Sequence, residues 1–488
     1  MDGNVNVVEA VVFIVYMFFV LAVGVYFFSK SKNDNEKGFF LGGRKMGPWV
    51  AALSAGASDM SAWVLMGLPT AIYAAGLGQV WVSLGLAIGY ALSWVFQAPR
   101  LRKFSIVAND SITVPQYLTN RFLSKSKALQ VLCAVVFLVA YTVYAASSIK
   151  ACGTLFNTVL GIDASIAMYV AAAIIIAYVF LGGFNAVCWT DFFQALLVLG
   201  AMLIAPLFAM FMLDTAAAST VTTQGFWNPF TRWQDVVSGL AWGLGYFGMP
   251  HIIIRFMSIR SQRELKKSAL IGISWTTVIV VFAAIIGIVG RMFLGFDEQV
   301  VAGELVFVNM VRILFPSLIS GVLLSAILAA SMSTADSQLL AASSAFAADV
   351  YKPIIRKGLA TDKEMLWTSR AVVLVISIVA LAIAANPGAG SIMSLVSNAW
   401  GVFGAAFGPA IMLSLYWKRF NFQGALAGIV VGALVDILWL AFLSSTGIYE
   451  ILPGFVAGLV AAVAVSLATK APEPEVEELF DRALAYED

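Results

Sequence analysis

The chain has 488 residues, of which 61% are hydrophobic and 11% are charged, and its formal net charge is +2. Soluble domains carry about 25% charged residues, so this composition excludes a water-soluble fold and predicts a polytopic membrane protein. The basic residues form only short clusters between apolar runs, which argues against a nucleic-acid partner. Cys133, Cys152 and Cys188 are scattered and form no CxxC pair, which argues against a metal site or a disulfide framework.

Apolar runs follow one another along the whole chain, and each is long enough to cross a bilayer as a helix. The first is too long for the core of a signal peptide and is interpreted as a retained membrane helix. An all-α fold with thirteen transmembrane helices is therefore predicted. The runs cover residues 7–28, 49–74, 78–99, 128–157, 163–182, 185–213, 236–257, 268–293, 316–347, 367–386, 391–417, 423–445 and 450–469.

The basic residues predict the orientation of these helices, because Lys and Arg accumulate in cytoplasmic loops. If the N-terminus lies outside the cell, 25 of the 29 Lys and Arg residues fall in or beside inner segments. A plasma (inner) membrane location is expected, with a cytoplasmic C-terminus and a solvated acidic tail over residues 471–488. The remaining four basic residues are Lys150, Arg232, Arg291 and Arg312.

The second and seventh runs are both interrupted by small or helix-breaking residues. Residues 51–63 read AALSAGASDMSAW, and residues 242–251 read WGLGYFGMPH. The runs are five helices apart, so the five-helix units that begin with them are inverted, as in transporters whose broken helices form the site. Close helix packing is the alternative explanation. The predicted organisation is an N-terminal helix and loop, two repeats, two further helices and a tail, over residues 1–48, 49–214, 215–418, 419–470 and 471–488.

Asp59 lies in the middle of the interrupted second run, where an ionisable residue is costly and indicates function. The ninth run offers two adjacent hydroxyl groups, on Ser333 and Thr334. Hydroxyl and carbonyl oxygens suit a hard cation such as sodium, and unwound helices supply free carbonyls. The two hydroxyls can equally bond back to carbonyls of their own helix, and the residues alone leave both interpretations open.

The other ionisable residues in the apolar runs point less strongly to a functional role than Asp59 does. Asp191 and Asp336, with Ser337, are candidates for a second cation site or a proton relay. Asp191 can also be a helix N-terminal charge near the cytoplasmic interface, which the helix dipole favours. Asp436 lies outside the ten-helix core and is interpreted as structural, as is the single histidine, His251.

Three aromatic residues lie in or opposite the two breaks: Tyr144, Trp242 and Tyr246. Such rings can wall a pocket for a compact solute with an apolar ring or chain. Each ring alone is more often part of ordinary packing, and their common position favours the pocket.

At these breaks the sequence resembles the sodium/solute symporter family. The resemblance rests on residues 54–61 (SAGASDMS), 242–251 (WGLGYFGMPH) and 325–334 (SAILAASMST), and within the family it is strongest to the members that carry proline. It extends over nearly the whole chain through further motifs at residues 41–44, 67–69, 182–183, 189–191 and 404–409.

The resemblance implies a leucine-transporter-like fold, with a five-plus-five inverted repeat, one extra N-terminal helix and two extra C-terminal helices. It implies that Asp59 organises a sodium site formed by carbonyl and hydroxyl oxygens of Ala57, Met60, Ala330, Ser333 and Thr334. It also implies a substrate pocket formed by Ser61, Trp63, Tyr144, Trp242, Tyr246 and Pro250.

The expected function is import of L-proline together with Na⁺ by alternating access, with the lipid bilayer, Na⁺ and the solute as partners and a monomer as the working unit. An enzyme is not expected, because one histidine and scattered cysteines make no catalytic set. The alternatives are a symporter of the same fold for pantothenate, a betaine or a sugar acid, and a solute-sensing membrane protein. Ala62, Met249 and the pair Asp336–Ser337 depart from the proline-carrier pattern, and the last keeps a second sodium ion possible.

Overall fold

The computed structural model describes residues 6–30, 36–181, 183–214, 216 and 221–487. These residues form helices, and a single isolated backbone bridge is the only β-type pairing among them. The helices are α1 (Val7–Lys30), α2 (Glu36–Leu41), α3 (Pro48–Asp59), α4 (Leu68–Ala75), α5 (Val80–Leu92), α6 (Ala98–Val107), α7 (Val114–Arg121), α8 (Ala128–Leu160), α9 (Ala164–Leu181), α10 (Phe184–Met212), α11 (Trp233–Ala241), α12 (Pro250–Ser258), α13 (Gln262–Leu294), α14 (Glu298–Gly303), α15 (Val306–Leu314), α16 (Ser317–Phe346), α17 (Asp362–Ala384), α18 (Ile392–Tyr416), α19 (Phe422–Phe442), α20 (Ile451–Ala468) and α21 (Pro474–Ala485).

Ten helices in the described part of the chain are long and apolar enough to cross a membrane. A bent pair, Trp233–Phe247 and Pro250–Ser258, makes an eleventh span if it is counted as one. The two other predicted runs correspond to the broken pair α3 and α4 and to the shorter α9. The multi-pass, all-α prediction is thus confirmed, while the count of thirteen stays a prediction, and the predicted repeat boundary at residue 215 lies outside the described residues.

The first break separates α3 from α4. Helix α3 ends at Asp59, and Met60 leaves helical geometry with φ −79° and ψ 74°. The chain then resumes as a wide helical turn over Trp63–Gly67 before α4 begins. Small residues permit this path: a Cβ atom on Gly56 would lie 2.6 Å from the Trp275 ring.

The second break separates α11 from α12. Residues Trp242–Phe247 continue α11 as a tighter 3₁₀ helix, and Met249 then adopts an extended conformation with φ −77° and ψ 106°. Pro250 follows as the first residue of α12. Proline disfavours helical geometry in the residue before it and is well tolerated at the first helical position, so Pro250 fixes where the helix restarts.

Glycines allow α11 and the 3₁₀ segment that follows it to pack closely against α5. A Cβ atom on Gly89 would lie 2.3 Å from the carbonyl oxygen of Gly243, and one on Gly85 would lie 2.2 Å from that of Gly239. Real Cβ atoms do not come this close, so the two backbones touch only because these side chains are absent. Helix α5 and the 3₁₀ segment are therefore packed as one body.

Main-chain hydrogen bonds join the chain just before the start of α3 to the end of α12. The Met46 N–H donates to the Ser258 carbonyl at 3.2 Å, and the Arg260 N–H donates to the Met46 carbonyl at 3.1 Å. Arg102 reinforces this bridge, because its guanidinium donates to the carbonyls of Ile259 and Arg260 at 2.7 and 2.8 Å.

The acidic tail contains an ordered helix, which corrects the expectation of a purely solvated segment. Helix α21 lies against α6 and α7, and Phe480 is only 5% exposed. Its ring lies 5.2 Å from that of Phe104, and the Arg121 guanidinium lies 4.9 Å from the Phe480 ring centre. The amphipathic helix buries its apolar face, as a surface helix does in a soluble protein.

Candidate functional site

Asp59 lies at the end of α3, fully buried, with both its main chain and its side chain engaged. Its carbonyl oxygen accepts hydrogen bonds from Trp63 Nε1 at 3.2 Å and Tyr144 Oη at 3.4 Å. Its carboxylate Oδ2 accepts one from the Tyr246 hydroxyl at 2.6 Å, while Oδ1 has no hydrogen-bond partner in the described structure. The residue therefore connects the first break to α8 and to the second broken helix.

The oxygens predicted to bind sodium meet where α16 passes α3. The Ser333 hydroxyl donates to the Ala57 carbonyl at 2.9 Å and to the Ala330 carbonyl at 3.1 Å, and the Thr334 hydroxyl lies 3.4 Å from the same Ala57 oxygen. The Ser333 hydroxyl thus bonds back to its own helix, as one interpretation expects. It also contacts the broken helix, as the cation-site interpretation requires. Met60, the fifth predicted ligand, is buried directly at the break.

Stacked and edge-on rings form an aromatic wall beside the two breaks. Trp242 lies 6.2 Å from Trp63 and 6.2 Å from Trp400, and Tyr246 lies 5.0 Å from Trp400. Trp400 Nε1 donates to the Trp242 carbonyl at 2.8 Å, and Tyr449 stacks on Trp242 at 4.9 Å. Two further aromatic residues, Trp400 and Tyr449, complete this wall, although no sequence motif marks them.

The smaller residues predicted for the pocket lie at the two breaks. Ser61 follows the end of α3, is 1% exposed, and its hydroxyl lies 3.5 Å from the Trp63 amide nitrogen. Pro250 opens α12. The two departures from the proline-carrier pattern, Ala62 and Met249, are buried beside them, so both are positioned to influence the shape of the space between the breaks.

A buried ion pair occupies the region where a second cation was considered. Arg255 of α12 donates to Asp191 Oδ2 at 3.1 Å, to Ser54 Oγ at 3.1 Å and to Ser337 Oγ at 2.5 Å. Ser54 also donates to Asp191 Oδ2 at 2.7 Å. Asp191 is thus fully buried in α10 and does not serve as a surface charge at a helix start. A protein cation already lies at Asp191.

In the sequence, Arg255 is only one of the many basic residues that the charge pattern assigns to the inner side. The available signal was its position in an apolar run five residues after Pro250, where a charge requires a partner. Asp336 is fully buried in α16, next to Ser337, and a second cation site at these residues stays a prediction.

Both the main chain and the ring of His251 contact the hydroxyl of one tyrosine. Its main-chain N–H donates to the Tyr141 hydroxyl at 2.9 Å, and its Nδ1 lies 3.1 Å from the same oxygen. This arrangement fits the interpretation of a structural histidine, which fixes the start of α12 against α8.

The chain is similar to known proteins over most of its length. The sequence profile of the sodium:solute symporter family matches residues 39–432. The chain belongs to the sodium:solute symporter family. Its relatives include the high-affinity proline transporter PutP of Bacillus subtilis, 42% identical, with 95% of this chain and 98% of the relative covered. The sodium/proline symporter of Escherichia coli is 40% identical, with 98% and 96% covered.

Solved structures show the same fold. A substrate-bound, outward-open Na⁺-coupled sialic acid symporter superposes with a TM-score of 0.78 at 20% identity, covering 96% of this chain and 98% of that one. Mhp1, a nucleobase-cation-symport-1 family transporter in a closed conformation, gives 0.54 at 14% identity, covering 91% and 97%. The predicted leucine-transporter-like fold is thereby confirmed. The family is one of sodium-coupled transporters and not of enzymes.

Proposed function

We propose that this symporter imports L-proline together with Na⁺ by alternating access. The observation that carries the proposal is the meeting of Asp59, the Ala57 carbonyl and the Ser333 hydroxyl at the break between α3 and α4. Relatives at about 40% identity over nearly the whole chain are named for sodium and proline, which supports the choice of both ligands.

Sodium binds where α16 approaches the first break. In this proposal the ion is held by oxygens of Ala57, Met60, Ala330, Ser333 and Thr334, with Asp59 as the residue that organises the break. Asp59 acts on the sodium site indirectly, by fixing the backbone at the break, because its carbonyl and its carboxylate both bond to aromatic side chains. An ion between α3 and α16 replaces the Ser333–Ala57 hydrogen bond with two ion–oxygen contacts and stabilises one arrangement of the two helices.

Proline binds between the two breaks, against the aromatic wall. Its carboxylate faces the positive end of a half-helix, where unpaired N–H groups and the dipole favour an anion. Its pyrrolidine ring packs on the rings of Trp63, Tyr144, Trp242 and Tyr246, beside Ser61 and Pro250. A compact, rigid solute suits this space, because burial of its apolar ring supplies affinity with little loss of conformational entropy.

The two ligands are coupled through the shared first break. Each raises the affinity of the other by the same factor, since linkage between binding sites is reciprocal. With the N-terminus outside, as the basic residues predict, inward movement of one positive charge gains about 2.3 kcal/mol per 100 mV of inside-negative potential. Rocking of α3–α6 and α11–α13 against the remaining helices would then expose both ligands to the cytoplasm.

A same-fold symporter for another solute is the second candidate. Ala62 and Met249 depart from the proline-carrier pattern and lie buried beside Ser61 and Pro250, where they can reshape the pocket for pantothenate, a betaine or a sugar acid.

Uptake in proteoliposomes with an imposed sodium gradient separates the candidates. We expect labelled proline to accumulate only with the inward gradient, and unlabelled proline to compete better than betaines, pantothenate or sugar acids. Accumulation of another solute with no competition by proline contradicts the proline assignment and retains sodium coupling. Accumulation that ignores the gradient contradicts both. Vesicles without protein, and vesicles with collapsed gradients, are the controls.

A further inference from the structure

Two acidic side chains converge at a point that neither the solute nor the sodium proposal uses. Asp436 lies in α19 and is 0% exposed, while Glu450, just before α20, is 7% exposed. A Cβ atom on Gly401 of α18 would lie 2.7 Å from Asp436 Oδ1 and 3.3 Å from Glu450 Cγ. The Asp436 carboxylate and the Glu450 side-chain stem therefore both lie against α18 at Gly401.

Neither carboxylate oxygen of Asp436 has a hydrogen-bond partner in the described structure. The helices packed against it present glycines, Gly401 from α18 and Gly454 from α20, and its titratable neighbours are Glu450 and Tyr449. The Tyr449 hydroxyl is engaged elsewhere, donating to the Ser397 carbonyl at 2.7 Å. A buried carboxylate beside a second one is unfavourable unless a positive charge or a proton compensates it.

We propose that Asp436 and Glu450 bind one proton between them, at a site separate from those for sodium and the solute. A shared proton allows the neutral carboxyl group to donate a hydrogen bond to the remaining carboxylate, which removes the like-charge repulsion. A proton fits better than a metal ion, because the glycine contacts bring three helices together around the carboxyl groups and main-chain carbonyls within helices are already bonded.

The proton site lies directly behind the aromatic wall. Glu450 is adjacent to Tyr449, whose ring stacks on Trp242 at 4.9 Å. Gly401 is adjacent to Trp400, which donates to the Trp242 carbonyl at 2.8 Å. Loss of the proton makes both carboxyl groups negative and pushes Glu450 away from Asp436, which draws Tyr449 off Trp242. Proton binding thus keeps the wall closed, and this consequence for transport rests on the proposed solute site.

Thermal unfolding of the purified full-length protein, without solute, tests the proton site itself. The variant Asp436→Asn with Glu450→Gln keeps both shapes and removes both charges. We expect the wild-type Tm to fall relative to that of the variant as the pH rises above about 4, the ordinary carboxyl pKa. The fall continues until the native pair loses its proton, because over this interval the native state holds a proton that the unfolded state has released. The exposed carboxylate variant Glu298→Gln is the matched control and should follow the wild type.

Single substitutions keep the test decisive if the double variant does not fold. Glu450→Gln removes the repulsion and leaves Asp436 in place, so its pH slope should be smaller than that of the wild type. Identical slopes in wild type, Glu450→Gln and the double variant overturn the proposal. The same measurement in sodium and in choline identifies the ligand. A sodium-dependent gain in Tm that the substitutions abolish assigns the pair to a metal ion and overturns the proton.

Uptake then tests the consequence for transport. With a fixed sodium gradient, we expect the initial rate of proline uptake to fall about threefold more in the wild type than in the double variant over the same pH interval, since only the wild type gains a second buried charge. Equal pH profiles contradict the link to the aromatic wall. Failure of proline to be transported at all contradicts the proposed solute and leaves the thermal result standing, so the two proposals fail separately.

Discussion

Asp59 makes two separate sets of contacts, one through its carbonyl oxygen and one through its carboxylate. The carbonyl accepts from Trp63 and Tyr144, and the carboxylate accepts from Tyr246. None of these contacts needs a bound ion, so the side chain can hold the break in shape while carbonyls of neighbouring residues form the proposed sodium site. This geometry fits an organising residue better than a direct ligand.

The substitution Asp59→Asn should weaken sodium activation about tenfold or more, which corresponds to about 1.4 kcal/mol. The amide keeps the shape but removes the negative charge that accepts from Tyr246 and favours a nearby cation. The sodium concentration for half-maximal uptake measures the effect. Ser58→Ala, which removes only a hydrogen bond to the Ala55 carbonyl, is the neighbouring control. Unaltered sodium activation in Asp59→Asn would refute the assigned role.

Tyr246 contributes a ring to the wall and a hydroxyl to Asp59, and two substitutions separate these contributions. Tyr246→Ala should weaken solute binding more than sodium binding, because the ring that contacts Trp400 is lost. Tyr246→Phe should retain most solute affinity and weaken sodium binding, because only the bond to Asp59 is removed. Equilibrium binding of labelled proline and of sodium measures both. Unchanged proline affinity in Tyr246→Ala excludes this ring from the pocket.

Arg255 and Asp191 form a buried pair whose members depend on each other. Arg255→Met should destabilise the protein by about 3–5 kcal/mol, because it leaves the Asp191 charge buried without its cation. Combining it with Asp191→Asn should recover much of the loss. Thermal unfolding in detergent compares the two variants. If the double variant is no more stable than Arg255→Met, the unpaired Asp191 charge is not the cause of the destabilisation.

The sequence alone predicts functional residues that stand out from their immediate neighbours in the chain. It does not predict residues that pair with a partner far away in the sequence. Asp59 and Ser333 stand in apolar runs where a polar group is conspicuous, and both lie at the first break. Arg255 and Asp191 are 64 positions apart, and no local pattern links them. Trp400 and Tyr449 were likewise missed, since one aromatic ring in an apolar run does not differ from the many that face lipid or the core.

At the scale of elements, the two breaks were predictable because their causes are local. Pro250 cannot follow a helical residue easily, and the small residues before Met60 permit an unwound segment. The docked tail helix was not predicted, although its signal was present: Val476, Leu479, Phe480 and Ala483 recur at helical spacing and are buried. The acidic residues between these positions make the segment resemble a solvated tail, which obscures its apolar face.

The tail helix α21 should detach when its central aromatic anchor is removed. Phe480→Ala deletes the contacts with Phe104 and Arg121, and truncation of a buried Phe costs about 3–5 kcal/mol. Hydrogen exchange of the α21 amides should accelerate while that of α16 stays slow. The exposed neighbour Glu478→Ala is the control. Equal acceleration in both variants contradicts an anchoring role for Phe480.

An ion pair adds a pH-dependent part to this docking. The hydrogen bond from Lys418 to Asp481 raises the pKa of the Lys418 ammonium group. The docking that depends on this charge is therefore complete at neutral pH and is lost as the pH rises through that raised pKa. Exposure of the pair to solvent keeps its contribution small.

For the molecule as a whole, the predicted orientation can be tested by labelling single cysteines. Ser445→Cys lies in the exposed α19–α20 connection, and Leu359→Cys, at a residue 78% exposed, lies between α16 and α17. The three native cysteines are buried, so they give little background. An impermeant maleimide should label position 445 on intact cells and position 359 only after permeabilisation. The reverse result overturns the orientation, and labelling of both on intact cells overturns the helix count between them.

The overall fold was predictable because the membrane restricts a chain to few solutions. Apolar runs must be helices there, and the boundaries of α8, α10 and α18 lie within a few residues of those predicted. How the helices meet was not predictable from these runs. The contact of Gly89 with Gly243, for example, depends on which helix faces which across 154 positions, and only the folded chain reveals that pairing.

The bridge between Met46 and Ile259 has a consequence for mutational tolerance. Its two hydrogen bonds join main-chain atoms only, from the Met46 and Arg260 N–H groups to the Ser258 and Met46 carbonyls. Ordinary side-chain replacements leave these atoms in place, and only proline at position 46 or 260 deletes a donor. Sequence drift can thus remodel the surrounding contacts while the start of α3 and the end of α12 stay joined.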